Sequence, residues 1–417
     1  MACVIALIDG EHHPSAVRDA LDLLDRDRGV AGVVFCGGEE KVSAEVLERA
    51  EEHYGRPVET DEGAAAALRR LAAESGASAV VDLADEPVLP AAAKLRLAAV
   101  ALDAGLTYEA PGTRLDPPRY EPLEFEGPKL AVIATGKRTG KTAVAGHWAE
   151  LLRERGARPV IVSMGRGGPP EPQVAGPETS LEDLLQIVEE GGHAASDYLE
   201  DAVLAGVPTV GCRRVGGGLA GEPFDSNVVE GARLALTLDP GVLILEGSGS
   251  ALPPVAADRT VCLVRERDVT LGELGAYRLL RANLALVLGD DDELASEAAE
   301  LCPGETLRCE LRPRPAEEVP DGARVAVFST GTGACEGVEP LVTSSALARR
   351  SELERDLDRA AEERCDVYLT ELKAAAIDTV ARRAQREGAR LVFLRNHPVA
   401  LEGDLDAALL RLHDDAR

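Results

Sequence analysis

Gly140, Lys141 and Thr142 form the closing half of the phosphate-binding pattern of glycine, four residues, then Gly-Lys-Ser/Thr. Thr135 stands where the first glycine belongs, and Gly136, Lys137, Arg138 and Thr139 fill the turn between. The chemistry this spacing offers is anion binding. Successive backbone N–H groups at a helix N-terminus attract phosphate oxygens, Lys141 adds a point charge, and the Thr142 hydroxyl can ligate Mg²⁺. Lys137 and Arg138 can assist either the nucleotide or a transferred group. A P-loop also needs a carboxylate at the end of a nearby strand, and Glu246 closes the apolar run 242–245, in a place more often held by Asp. An acid there can also do no more than cap the next helix.

Two further segments carry cations beside glycines. Arg166 lies in the loop 164–170, and Arg213 and Arg214 precede the glycine run 216–218, which includes Gly217. Guanidinium groups grip phosphate or carboxylate oxygens bidentately, so the pair at 213–214 reads as an anion clamp. Plain solvated turns are the alternative. The acids at Asp9 and Asp82, each at a strand end, can line a pocket or cap a helix, and His12 and His13 lack the further ligands of a metal set. Lys373, the pair Asn396–His397 and a second glycine-bearing loop at 329–334 carry no settled role.

The elements that must position these residues alternate strand and helix along the whole chain. That order predicts an α/β protein: a central P-loop NTPase-type parallel sheet flanked by N- and C-terminal α/β domains. Clusters of Pro and Gly at 111–122 and of Pro at 313–320 set the expected boundaries, giving domains 1–125, 126–315 and 316–417. The strand before the P-loop runs over 131–134, and Val144, Trp148, Leu151 and Leu152 give the following helix an apolar face ending near Gly156.

A formal charge of −28 argues against a nucleic-acid or anionic-membrane partner, which needs an extended positive field, so any anion must be held locally. Aromatic residues make up 3% of the chain, so its cores must be built from Ala, Val and Leu. The eight cysteines form no C-x-x-C pair and read as buried reduced thiols. No apolar run is long enough to span a membrane, and the N-terminus has no basic region or cleavage site, so a cytoplasmic location is expected.

Five segments together carry a family likeness: ATGKRTGKT, SMGRGGP, GCRRVGGGLAG, LILEGSGSALPPV and the opening LIDGEHH. In them the chain resembles the cyclic 2,3-diphosphoglycerate synthetase family. The resemblance implies an ATP-dependent ligase forming a phosphoric (pyrophosphate) bond, which closes 2,3-diphosphoglycerate into its cyclic pyrophosphate and releases ADP and phosphate. On that reading ATP and Mg²⁺ sit at residues 136–142 with Glu246, and Arg166, Arg213, Arg214 and Gly217 meet the acid substrate. A homodimer is the expected assembly. Two other readings remain: a P-loop kinase of a small phosphorylated acid such as 2-phosphoglycerate, and a regulatory P-loop ATPase with no small-molecule acceptor.

Overall fold

The computed structural model describes residues 3–417 except 39, 61–62, 193, 195, 268–273, 332–334 and 374–375. The chain divides into two compact units, one comprising Met1–Arg119 with Leu219–Gly221 and Glu266–Arg281, the other Tyr120–Gly218, Glu222–Arg265 and Ala282–Arg417.

In the first unit, β1 (Val4–Ile8), β2 (Val30–Phe35), β3 (Ala79–Asp82), β4 (Thr107–Ala110) and β5 (Thr113–Leu115) form a sheet in the order β2-β1-β3-β4-β5. All neighbours are parallel except the β4-β5 hairpin. β1 is apolar and buried throughout, as a central strand covered on both faces must be. Helices α1 (Pro14–Arg28), α2 (Ala44–Glu48), α3 (Ala50–Tyr54), α4 (Ala64–Ser75) and α5 (Ala91–Asp103) make the crossovers. α1 buries Val17 and Leu21 at helical spacing.

The second unit is built on one 13-stranded sheet. Its strands are β6 (Lys129–Ala134), β7 (Pro159–Gly165), β8 (Gln173–Ala175), β9 (Thr209–Val215), β10 (Asp225–Ser226), β11 (Val242–Glu246), β12 (Arg259–Val264), β13 (Leu284–Leu288), β14 (Glu305–Pro315), β15 (Val325–Phe328), β16 (Val342–Ser344), β17 (Val367–Glu371) and β18 (Arg390–Ala400). The order is β10-β9-β7-β11-β6-β12-β13-β14-β18-β17-β15-β16, with β8 on β9. From β9 to β14 every pair is parallel, so the P-loop strand β6 lies between β11 and β12. β14 and β18 pair antiparallel, and β17, β15 and β16 follow β18 in parallel. Residues 316–417 thus continue the same sheet with strand direction reversed.

Proline at 313, 315 and 398 signals breaks in the sequence, yet β14 and β18 run through all three positions. Each supplies the other with a partner from Cys309↔Ala400 to Pro315↔Leu394, and this pairing overrides the local signal. Arg395, Asn396 and His397 are therefore strand residues, not a terminal loop.

The largest core of this unit lies between the parallel strands and two helices. Helix α6 (Lys141–Glu154) contributes Val144, Ala145, Trp148, Ala149 and Leu152, and the C-terminal helix Leu405–Asp414 contributes Leu405, Ala408, Leu409 and Leu412. Trp148 is fully buried, and the rest of the core is almost entirely aliphatic.

Candidate active site

The turn between β6 and α6 takes left-handed backbone at two positions, Arg138 (φ 56°) and Gly140 (φ 84°). Thr135 needs no positive φ and is buried, with its N–H bonded to the Leu263 carbonyl at 3.0 Å. A side chain is tolerated where the pattern asks for glycine because the chain there still follows the sheet. Gly140 is different: a Cβ on it would fall 2.5 Å from Leu311 Cδ1. No side chain caps α6, so the N–H groups of its first turn open onto the loop. Thr139 Oγ1 is buried beside them without a partner, as expected of a donor awaiting a ligand.

Lys141 is 8% exposed, and its Nζ donates to the carbonyls of Gly136 (3.3 Å) and Gly249 (3.0 Å). Burial holds its ammonium below the usual lysine range, against the opposing pull of Glu246. Thr142 Oγ1 donates to Glu246 Oε1 at 2.7 Å, and Ser163 Oγ donates to Glu246 Oε2 at 2.7 Å. The register Glu246↔Ser163 between β11 and β7 sets the second contact. Because the Thr142 hydroxyl gives its proton to Glu246, its lone pairs stay available to a cation.

A buried acidic cluster surrounds this pair. Helix α7 (Asp197–Ala205) buries Glu200 and Asp201 among its apolar residues. Desolvation, then Asp197, push Glu246 above the ordinary carboxylate range, and desolvation with Glu246 and Glu200 pushes Asp201 far up. Glu200 rises to about 6 for the same first cause, restrained by Lys373 at 3.4 Å. Three buried carboxyls thus face two lysine ammoniums, and a divalent cation would supply the charge the cluster lacks. Among the described residues no three or more His, Cys, Asp or Glu are grouped to hold a metal alone. An ion at Thr142 and Glu246 would draw further oxygens from bound phosphates, the habit of Mg²⁺.

Cations from separate segments meet at the turn 248–249. Arg214 donates to the Ser248 carbonyl at 2.8 Å and to the Gly216 carbonyl at 2.5 Å. A Cβ on Gly249, whose φ is 60°, would lie 2.6 Å from an Arg166 nitrogen and 3.4 Å from Lys137 Cγ, so Arg166 and Lys137 flank the glycine whose carbonyl Lys141 holds. Gly217 lies beside Arg214, its Cβ position 3.5 Å from a guanidinium nitrogen. Arg213 does not join them. β9 extends through Val215, so consecutive side chains point to opposite faces, and Arg213 is exposed while its N–H bonds Asn227. The arginine pair expected at 213–214 is in the structure a pair of Arg166 and Arg214. Arg138 is exposed, and its carbonyl accepts from Arg265 at 2.9 Å.

A cavity of ≈ 180 Å³ opens beside this cluster, lined among others by Ser163, Arg166, Gly168, Asp197, Tyr198 and Cys212. Ser163, Asp197 and Asp201 carry no motif of their own. The signal for Asp201 was an acid set among the inward positions of an otherwise apolar helical face.

The remaining candidates have local partners. Asp9 accepts from the N–H groups of Glu11, His12 and Asp85, and Asp82 holds Lys94 and Tyr108, so both acids organise their own loops. His12 bonds Asp9. Glu371 binds Thr330 and Asn396, joining two loops at the ends of β15 and β17, while 332–334 lie outside the described residues. His397 meets Arg314 and His147.

Against known families, residues 129–300 match the family described as cyclic 2,3-diphosphoglycerate synthetase, P-loop domain. Residues 3–116 match its N-terminal domain and 334–397 its C-terminal domain. Proteins named cyclic 2,3-diphosphoglycerate synthetase are similar over nearly the whole length. The one from Rubrobacter xylanophilus is 45% identical over 97% of this chain and 96% of its own. Those from Thermococcus gammatolerans and Methanothermobacter thermautotrophicus are 40% and 36% identical, over 98% and 99% of this chain and 96% of theirs. With a nucleotide-binding turn, a strand-end carboxylate and this match across all three segments, the chain belongs to the cyclic 2,3-diphosphoglycerate synthetase family.

Proposed function

We propose that this protein is an ATP-dependent ligase that closes 2,3-diphosphoglycerate into cyclic 2,3-diphosphoglycerate, with release of ADP and phosphate and with Mg²⁺ as the cation. The observation that carries the reading is the meeting of Lys137, Lys141, Arg166 and Arg214 around the turn 248–249, beside a P-loop whose Thr142 is tied to Glu246. A chain of net charge −28 concentrates its cations there, and a substrate with two phosphates and a carboxylate calls for such a concentration.

The open N–H groups of α6 and the Thr139 hydroxyl cradle the nucleotide phosphates. Lys141, held at two carbonyls, is placed to offset charge on the transferred phosphoryl, and Thr142 with Glu246 holds the ion. When bound, that ion supplies charge neutralisation between the nucleotide phosphates. Arg166 and Arg214 orient the acid substrate so that one of its phosphate oxygens attacks the terminal phosphoryl of ATP, breaking the bond to ADP. The neighbouring phosphate then attacks the activated phosphorus, forming the ring anhydride and expelling inorganic phosphate. Because the second attack is intramolecular, holding the two phosphates in contact removes much of an entropic barrier that can reach several kcal/mol.

All eight cysteines are free thiols, which suits the reducing cytoplasm where ATP is abundant. Phosphorus NMR of the product tests the reading: a cyclic pyrophosphate signal that appears with ATP and 2,3-diphosphoglycerate supports it. ADP formed without that signal points to a kinase, and ADP release indifferent to the acid points to an ATPase without acceptor.

A further inference from the structure

Behind Thr142, on the side of α7, lies a small cavity of ≈ 30 Å³, lined among others by Thr142, His147, Glu200, Asp201, Arg395 and Asn396. A space of that size between polar groups accommodates an ordered water. Asp201 is 2% exposed, and its Oδ2 has no hydrogen-bond partner among the described residues. Its carboxyl lies close enough to Glu246 to share a hydrogen bond, and a Cβ on Gly146 would stand 3.6 Å from Oδ1.

A buried carboxyl oxygen left unpaired is costly. Glu246, by contrast, has both oxygens engaged, one by Thr142 and one by Ser163. The unpaired oxygen in this cluster therefore belongs to Asp201, and Asp201 lines the same cavity as Thr142. Glu200, the next acid on the helix, is turned to Lys373.

We propose that Asp201 is a second carboxylate of the divalent-cation site, acting beside Glu246 and Thr142. The inference rests on the placement of a divalent cation at Thr142 and Glu246.

The test is Mn²⁺ binding to the full chain followed by EPR in the presence of ADP, with ADP affinity measured separately in EDTA. Asp201→Asn is expected to weaken Mn²⁺ binding about tenfold or more, with ADP affinity in EDTA unchanged. Asp201→Glu keeps the charge but displaces the oxygens, and is expected to weaken Mn²⁺ binding as well. Glu200→Gln removes the same charge one residue away and is expected to leave the Mn²⁺ affinity where it was. Wild-type affinity in both Asp201 variants, or an equal loss in Glu200→Gln, overturns the proposal while leaving the Thr142–Glu246 site standing. Mn²⁺ binding that Glu246→Gln does not weaken, or no binding by the wild-type chain, overturns the cation placement and this inference together. If Asp201→Asn does not fold, Asp201→Glu alone decides.

Discussion

Thr142 and Glu246 are separated by 104 residues of chain, yet the hydroxyl of one donates to the carboxylate of the other at 2.7 Å. The contact exists because β11 is laid directly against the P-loop strand β6, bringing the acid at its carboxyl end beside the first turn of α6. In the proposed function these two residues hold one ion and so act as a unit, and losses from units are not additive. Thr142→Val and Glu246→Gln are each expected to lower kcat about 100-fold, and the double variant to be no worse than the more damaged single. Rates from phosphorus NMR check this. Losses that multiply would show that the two side chains act independently.

Lys141 separates catalysis from stability. It is a buried cation whose Nζ donates to the carbonyls of Gly136 and Gly249, and desolvation outweighs the pull of Glu246 on its charge in the resting protein. Lys141→Met keeps the stem and removes the charge. Turnover should fall below detection while the melting temperature stays level or rises, since the desolvation of this ammonium outweighs its attraction to Glu246. An ADP-release assay run alongside a thermal melt reads both, and retained turnover would refute the assigned role.

The P-loop could be read from the sequence because its chemistry is local: turn, lysine and threonine are contiguous, and the strand before them and helix after them announce themselves by periodicity. Glu246 could be picked out because it ends an apolar strand, although an acid there can also serve only as a helix cap. Asp201 and Ser163 could not, since each matters only through a register or a helix packing that brings it to Glu246. Proline at 313 and at 398 sits within a strand, because an antiparallel partner keeps the strand intact. The pair Arg213–Arg214 misled for a related reason: adjacency in sequence means opposition in a strand, and β9 is longer than its apolar run suggests.

That alternation makes a sharp prediction about the arginines. Arg214 is fastened to Ser248 and Arg166 reaches Gly249, whereas Arg213 is exposed on the other face. Arg166→Ala and Arg214→Ala are expected to raise KM for the acid substrate about 10- to 100-fold, as loss of a guanidinium–phosphate contact does, with much smaller changes in KM for ATP. Arg213→Ala should leave both constants near wild type. Steady-state kinetics with each substrate varied in turn decide it. Equal damage from Arg213→Ala and Arg214→Ala would mean that the strand presents both side chains to the substrate.

His397 ties the pH dependence of stability to the underside of the P-loop helix. Its Nδ1 accepts from Arg314 at 2.7 Å, and its ring meets the edge of His147 on α6, centroids 4.7 Å apart. Accepting from a guanidinium requires a neutral imidazole. Burial first, then the charges of His147, Arg314 and Arg395, lower His397 from 6.5 to about 4, with Asp406 pulling the other way. A base whose pKa is depressed on folding adds stability that is fully present above 6.5 and is lost as pH falls from there toward 4, because the unfolded chain takes up the proton first. His397→Gln keeps an acceptor for Arg314 and removes the titration. Melting temperatures taken between pH 7 and pH 4 should therefore fall less steeply for this variant than for wild type. Parallel curves would place the acid sensitivity in other groups.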